Sequence, residues 1–423
     1  MARQLCTQMK RDPQALEAAL ADLERRDLKR VRATVEAFAE PGGRVVGIAG
    51  TAHPLVDFSS NDYLALSRHP GVAAAMAASA EHWGAGSGAS HLVTGHGVEH
   101  ARLEEELAEF TGRERALLFS TGYMANLAVV TSLAGRGEVV LLDRLSHASL
   151  IDAGLLSGAR LKRYAHADSA AAESALATSS GKAAVVATDG VFSMDGDIAP
   201  LADLARMSRA HGAWLVVDDA HGIGVLGTGG RGSLEWLGLN SDDVPVLVGT
   251  LGKAFGSFGA FVAGSAELIE LLVQKARPYL YTTALPQPVA AATRAALRIA
   301  QREKWRRERV LALTDRFRRA ARALEVPLAD SCTPIQPVML GSAGAAIQAQ
   351  KELMEAGFWV VAIRPPTVPR GGARLRVALS AAHTDEQVDA LTDALARVCA
   401  RVRGAEARGD AARTASTIEA ETE

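Results

Sequence analysis

With 423 residues the chain is long enough for more than one core, and 48% hydrophobic with 22% charged residues is globular composition, not that of a disordered or fibrous chain. A formal net charge of −2 gives no bulk attraction to nucleic acid or to an anionic membrane, so neither is expected as a partner. Cys6, Cys332 and Cys399 are scattered and form no CxxC, which suggests neither a disulfide framework nor a zinc site and fits a reducing, cytoplasmic setting with no metal.

In chain order, Met1 to Gln14 has no apolar h-region, and no later stretch approaches the roughly 20 apolar residues that span a bilayer. Residues 14–39 alternate apolar and charged positions at helical spacing until Pro41, Gly42 and Gly43 break the pattern, which predicts an N-terminal helical arm over residues 1–58. From 59 to 290, helix-length segments separate short apolar runs at Ala116–Phe119, Val139–Leu142, Ala183–Ala187, Leu215–Val217 and Val246–Val248. Such runs read as parallel strands covered on both faces, an α/β domain with a mostly parallel central sheet. Residues 291–403 change character. A long charged helix (Ala291–Leu324), strand-like Ile335–Leu340, a helix near Ala345–Ala356, strand-like Trp359–Ile363 and Arg374–Leu379, and a helix from Asp385 to Arg403 predict a smaller α+β domain. Residues 404–423 hold no aromatic and one β-branched aliphatic, Ile418, and are expected to be a disordered tail.

Ligands of open parallel sheets bind beyond the carboxyl ends of the strands, and the polar residues gather there. Asp143, Ser146 and His147 follow one strand; Asp189, Gly190, Ser193 and Asp195 another; Asp218 and His221 a third; Thr250 and Lys253 a fourth. Asp218 and Lys253 carry the most chemistry. A lysine amine forms a Schiff base with the aldehyde of pyridoxal phosphate, and a carboxylate pairs with its pyridinium nitrogen. Gly252, Ala254 and Gly256 around Lys253 offer little polarity to keep the amine wet, and a desolvated lysine loses its proton more easily.

Blander readings compete. A strand-terminal aspartate is often a helix cap and a lone lysine a solvated charge. Gly222, Gly224 and Gly227 spell GxGxxG, but the glycine-rich Thr228 to Gly232 that follows cannot open the helix a pyrophosphate needs, and Lys253 lacks the rest of a P-loop. Ser120, Thr121, Gly122 and Tyr123 lead into a helix whose backbone amides suit a phosphate, or are simply a capped turn. His147 is either a ring-stacking residue or an ordinary loop histidine. The glycine-rich Gly84–Gly95 is a flexible loop or a close backbone approach to a ligand or subunit. Arg364, stiffened by Pro365 and Pro366, suits a carboxylate or a structural ion pair.

Longer runs settle on one family. Ser59–Leu64, Asp143–Ser149, Asp189–Asp197, Asp218–Gly222 and Gly249–Gly256 resemble the α-oxoamine synthases, fold-type I pyridoxal-phosphate enzymes, over residues 15–403. Ser90, His91, Leu92 and Gly95, Ala329–Cys332 with Ile335–Pro337, and Ala362–Pro369 are most similar to the branch that joins L-alanine to a pimeloyl thioester in biotin synthesis. Glycine-using members, of the aminolevulinate synthase and 2-amino-3-ketobutyrate ligase types, are the alternative.

The resemblance implies Lys253 as Schiff-base lysine, Asp218 as pyridinium partner, His147 stacked on the ring, His221 at the ring oxygen, and Ser193 and Thr250 as hydroxyl donors. It implies amides of Gly122 and Tyr123 for the phosphate, Arg32 (with Arg30 beside it), Arg364 and Thr367 near substrate, and a homodimer with shared sites in which Thr282 and Thr283 reach the partner's phosphate. It leaves open coenzyme A or acyl carrier protein as the acyl carrier. An inactive relative acting as a binding subunit is the different-class rival, and the intact Lys253, Asp218, His147 and His221 weigh against it.

Overall fold

Seven strands form the central sheet, in spatial order Arg115–Phe119, Ala260–Gly264, Val246–Thr250, Trp214–Asp218, Ala183–Asp189, Val139–Asp143 and Arg160–Tyr164. The computed structural model describes residues 13–38, 44–179 and 182–422. All five expected apolar runs are strands of this one sheet, and the last five in the spatial order pair in parallel. Along Ala183–Asp189, Val185 packs with the helix side that includes Val129 and Leu268, while Val186 packs with the side that includes Leu204 and Phe317. Both faces are therefore covered, and each buried valine contributes about 1.5–3 kcal/mol.

Two strands lack a readable signal. Arg160–Tyr164 is the sheet edge, where Arg160, Lys162 and Arg163 are tolerated because one side stays open. Ala260–Gly264 runs antiparallel to both neighbours and follows Val246–Thr250 without a helix between. The intervening loop of this hairpin is the segment that carries Lys253.

The arm differs from expectation. Its helix, Pro13–Arg25, stops far short of residue 39: Asp27 takes a positive φ of 54°, Leu28 N–H bonds back to Leu23 O, and the β-branched stretch beyond becomes the strand Val35–Phe38. Pro41, Gly42 and Gly43 lie outside the described residues. Strands Val35–Phe38, Val45–Ile48, Leu55–Asp57 and Phe358–Trp359 form one sheet, so arm and C-terminal region share main-chain bonds.

The expected helix Ala291–Leu324 is two, Gln287–Arg302 and Trp305–Ala323. They part at Glu303, whose carboxylate takes Arg306 Nε at 2.7 Å while Arg306 Nη1 holds Leu64 O at 3.1 Å. The Trp359–Ile363 run also divides: Phe358–Trp359 joins the arm's sheet and Val361–Ile363 joins a three-stranded sheet with Ile335–Gly341 and Ala373–Ala378. Ser59 Oγ bridges the division, donating to Trp359 O at 3.1 Å and accepting from Val361 N at 3.0 Å. The final helix runs Asp385–Thr422, through the segment expected to be a disordered tail. Alanine, arginine and glutamate there favour helix by propensity. Among the described residues no helix is long and apolar enough to cross a membrane.

Candidate active site

The hairpin loop after Val246–Thr250 is closed by Leu251 N–H to Gly259 O (2.9 Å), Ser257 N–H to Leu251 O (2.9 Å) and Gly256 N–H to Lys253 O (2.9 Å). Gly256 holds φ at +62°, and a side chain there would strike the backbone of Ser67; a side chain on Gly224 would begin 2.6 Å from the Ala254 methyl. Two close approaches thus lock Ala254 and Gly256, the residues that follow Lys253. The GxGxxG glycines belong to this turn region, whose next helix, Ser233–Trp236, has only four residues, so the dinucleotide reading fails here.

Lys253 Nζ lies 2.7 Å from His221 Nε2, and His221 Nδ1 lies 2.7 Å from Tyr63 Oη. Desolvation outweighs the attraction of Asp218 and lowers Lys253 to about 8. Burial first, and then the charge of Lys253, hold the His221 imidazole well below its ordinary value, so it is neutral.

In-register parallel pairing sets Asp189 opposite Asp218 at adjacent strand ends. Asp218 Oδ1 accepts from Ala220 N at 3.1 Å and Oδ2 from Asn126 Nδ2 at 2.6 Å. The same amide donates to Ser149 Oγ at 2.9 Å, and that hydroxyl meets His147 Nδ1 at 2.6 Å. Ser149 N–H also points at Nδ1, so that nitrogen is an acceptor and His147 carries its proton on Nε2. His147 is exposed, and desolvation by the atoms around it, opposed by the charge of Asp218, lowers its pKa. Asp189 accepts from His147 N at 2.9 Å, and burial followed by the nearby Asp218 raises it well above the carboxylate range.

The donor set fits pyridoxal phosphate. Asp218 offers a carboxylate at the depth of the sheet, Lys253 an amine of lowered pKa, and helix Gly122–Leu133 begins with the N-terminal amides of Gly122 and Tyr123, capped by Thr121 Oγ1 on Met124 N at 3.2 Å. Nothing lies within 4 Å of where a side chain on Gly122 would start, which leaves room for a phosphate. Tyr123 itself is exposed and donates to Asp152, so only its amide faces this role. Thr250 Oγ1 donates to Gly259 O at 3.1 Å, and Ser193 O accepts Arg376 Nε at 2.6 Å. Thr282 and Thr283 stand in a loop pinned to the glycine-rich segment by Ala284 N to Ala89 O (2.9 Å) and Ser87 Oγ to Leu285 O (2.7 Å).

Arg364 donates to Asp27 O and, at 3.4 Å, to Lys29 O, while Arg30 Nη2 donates to Thr367 Oγ1 at 3.0 Å. The arm arginine brought to Thr367 is thus Arg30; Arg32 lies exposed beyond it. Sequence reasoning missed a cation whose charge reaches the lysine. Arg376 is buried on the strand Ala373–Ala378, bonds Asn61 Oδ1 at 3.0 Å, and its charge acts on both Lys253 and His221. A charged side chain inside a buried strand was the available signal. Asn61, Tyr63 and Asn126 were missed as well.

His91, His96 and His100 also bring ring nitrogens within 4.8 Å of one another. His100 takes Gly97 N–H on Nδ1 at 2.9 Å and donates Nε2–H to Leu285 O, which leaves it no lone pair for a metal.

Known proteins place this arrangement. The family model for class I and II aminotransferases matches residues 53–395. The chain belongs to the class I and II aminotransferase family. It has the fold-type I architecture of pyridoxal-phosphate enzymes in that family. The chain is 59% identical to a protein of Methylococcus capsulatus named 8-amino-7-oxononanoate synthase, over 90% of this chain and 97% of that one. It is 56% identical to a protein of the same name from Pseudomonas entomophila, over 93% and 99%. Among solved structures of this family, a serine palmitoyltransferase from S. paucimobilis with a bound PLP–myriocin aldimine aligns with a TM-score of 0.87 at 30% identity, covering 93% of this chain and 99% of that one. The 8-amino-7-oxononanoate synthase of Francisella tularensis aligns with a TM-score of 0.71 at 32% identity, covering 81% and 97%.

Proposed function

We propose that the chain is a pyridoxal-phosphate-dependent acyltransferase that condenses L-alanine with a pimeloyl thioester, giving 8-amino-7-oxononanoate, carbon dioxide and free thiol in biotin synthesis. The observation that carries it is Lys253, its pKa lowered to about 8, held against His221 and facing the Asp189–Asp218 strand ends, in a chain 59% identical to a protein bearing that enzyme's name.

When bound, the cofactor supplies an aldehyde that condenses with amines and a ring that accepts the electron pair of the substrate Cα–H bond. Asp218 would pair with the ring nitrogen, His147 would cover a ring face, the amides of Gly122 and Tyr123 would hold the phosphate, and Ser193 and Thr250 would offer their hydroxyls to the cofactor. Lys253 Nζ takes the proton from the alanine Cα: a pKa of about 8 keeps a useful fraction of free amine at neutral pH. Arg376, beside Asn61 and within the field of Lys253, suits the alanine carboxylate, since a buried guanidinium binds it by charge-assisted bonds. Arg30, Arg364 and Thr367 form a separate cationic group at the arm, suited to the acyl substrate; coenzyme A and acyl carrier protein both fit such a group. Two copies would share the site, with Thr282 and Thr283 placed to hold the phosphate bound by the partner subunit. Tyr281 and Val93, both 73% exposed beside that loop, fit a face covered by a second subunit. Cys332 and Cys399 form no disulfide, which suits the cytoplasm.

The test is turnover with L-alanine and pimeloyl thioester, read as carbon dioxide release and the mass of 8-amino-7-oxononanoate. Faster turnover with glycine and a short acyl thioester overturns the assignment in favour of a glycine-using synthase.

A further inference from the structure

A series of hydrogen bonds runs from the small lobe to the site lysine. Arg376 Nη2 donates to Asn61 Oδ1 at 3.0 Å, and Tyr63 Oη reaches the same oxygen at 3.2 Å. The phenol oxygen lies 2.7 Å from His221 Nδ1, and His221 Nε2 lies 2.7 Å from Lys253 Nζ. Tyr63 and His221 are both buried, so water does not compete for these bonds.

The direction of every bond follows from one end. A guanidinium has donors only, so the Asn61 atom facing Arg376 is the carbonyl oxygen. An amide oxygen cannot donate, so the Tyr63 hydroxyl spends its single proton on that oxygen. The phenol oxygen must then accept from His221, which places the imidazole proton on Nδ1. Burial keeps the phenol from ionising and keeps the imidazole neutral, so His221 has one N–H and its Nε2 is bare.

We propose that Tyr63, held by Asn61 and Arg376, is a positioning residue that fixes His221 as its Nδ1–H tautomer and so presents a lone pair to Lys253. The tautomer decides what the amine can do. A bare Nε2 accepts an N–H of Lys253 and leaves the nitrogen lone pair free to attack a carbonyl carbon. The opposite tautomer donates Nε2–H into that lone pair and occupies it. The effect on cofactor capture rests on Lys253 being the Schiff-base lysine; the tautomer does not.

The test is nitrogen NMR of the full chain with 15N-labelled histidine, the His221 signals being those lost in His221→Asn, with the rate of pyridoxal phosphate uptake measured in parallel. Expected for the natural sequence is a protonated Nδ1 and a bare Nε2. Tyr63→Phe moves the proton toward Nε2 and slows uptake about tenfold, one hydrogen bond's worth. Asn61→Asp retains an acceptor for the phenol and keeps the original tautomer. Protonation of Nε2 in the natural sequence overturns the proposal by itself, whether or not the variants fold. So does a Tyr63→Phe protein with unchanged tautomer and uptake rate. The product assay with alanine decides the substrate independently, because the tautomer is read on the imidazole itself.

Discussion

Asn126 Nδ2 lies 2.6 Å from Asp218 Oδ2 and 2.9 Å from Ser149 Oγ, so a single buried amide ties the Asp218 carboxylate to the hydroxyl that meets His147 Nδ1. Its Oδ1 has no partner among the described residues. Asn126→Leu strips a donor from Asp218 and frees Ser149 Oγ to turn away from His147. The expected result is pyridoxal phosphate affinity reduced about tenfold or more, with about 1–3 kcal/mol of stability lost from the unpaired groups. Absorbance titration with cofactor and urea unfolding measure the two effects. Unchanged affinity would show that the amide matters only to packing.

The difference between Asn126 and Lys253 shows what could be read from sequence. Lys253, Asp218, His147 and His221 each stand at or just beyond an apolar run, and parallel sheets gather such strand ends on one side, so local pattern was enough to bring them together, while their separate roles rested on the resemblance to the α-oxoamine synthases. Asn126 sits inside the mostly apolar helix Gly122–Leu133, and its meaning depends on which strand end that helix covers. Tyr63 meets His221 across 158 positions of chain, a pairing no local pattern encodes. Arg364 was favoured because prolines stiffen it, yet the guanidinium whose charge acts on Lys253 is that of Arg376, on a buried strand that pairs with Pro337 on one side and Val361 on the other. The arm failed for a local reason: helical spacing of charges continued past Asp27, but the backbone turned there.

Arg376 and Arg364 should separate by substrate. Arg376→Lys keeps the charge but loses the fork that reaches both Asn61 Oδ1 and Ser193 O, and KM for alanine should rise at least tenfold. Arg364→Lys should leave the alanine KM within twofold and raise that for the thioester, since its bonds go to the arm at Asp27 and Lys29. Steady-state kinetics with each substrate varied in turn will tell; the reverse pattern restores Arg364 as the carboxylate group.

Lys253 should react with an acylating reagent with an apparent pKa near 8 in cofactor-free protein, followed by mass spectrometry of its peptide. Stability follows with a definite sign. The folded-state pKa lies below the ordinary 10.5, so the unfolded chain binds the extra proton between about 8 and 10.5 and stability attributable to this group rises with pH across that window. Below about 8 the burial penalty is fully present. Lys253→Met should therefore melt above the natural sequence at pH 7, without cofactor, with the gap closing above pH 10 or so. In the loaded protein, borohydride should fix the cofactor on Lys253, and label elsewhere would sink the assignment.

His166 clamps two loops of the site. Its Nδ1 is 3.0 Å from Asp143 and its Nε2 2.9 Å from Asp197, joining the strand end before His147 to the turn that carries Ser193. Burial opposes its charge, but the hydrogen bonds its ring donates to the two carboxylates prevail and raise it to about 10. A raised folded-state value means the stabilisation is complete below about 6.5 and disappears as pH climbs toward 10. His166→Gln should lose about 2 kcal/mol at pH 6 and nearly nothing at pH 10. Equal losses at both pH values in urea titrations would mean that the ring acts by shape alone.

Gly256 and Gly252 flank Lys253 but should respond oppositely to alanine. At Gly256 the φ of +62° costs a residue with a side chain about 1–2 kcal/mol, and the added carbon would sit 2.5 Å from Ser67 Cα and closer still to its nitrogen. Backbone cannot turn aside as a side chain can. Ser67 is itself held by Asp62, its hydroxyl 2.5 Å from Oδ2, in the segment that carries Asn61 and Tyr63. Displacing Ser67 therefore disturbs the lysine loop and the His221 supports together. At Gly252 the nearest atom to an added carbon is Ser257 O at 3.5 Å, an ordinary contact, and no positive φ is required. Gly256→Ala should lower the urea midpoint by well over the strain term alone and weaken cofactor binding, while Gly252→Ala should leave the midpoint within experimental scatter. If the two variants unfold at the same urea concentration, close approach to Ser67 is not what fixes the Lys253 loop.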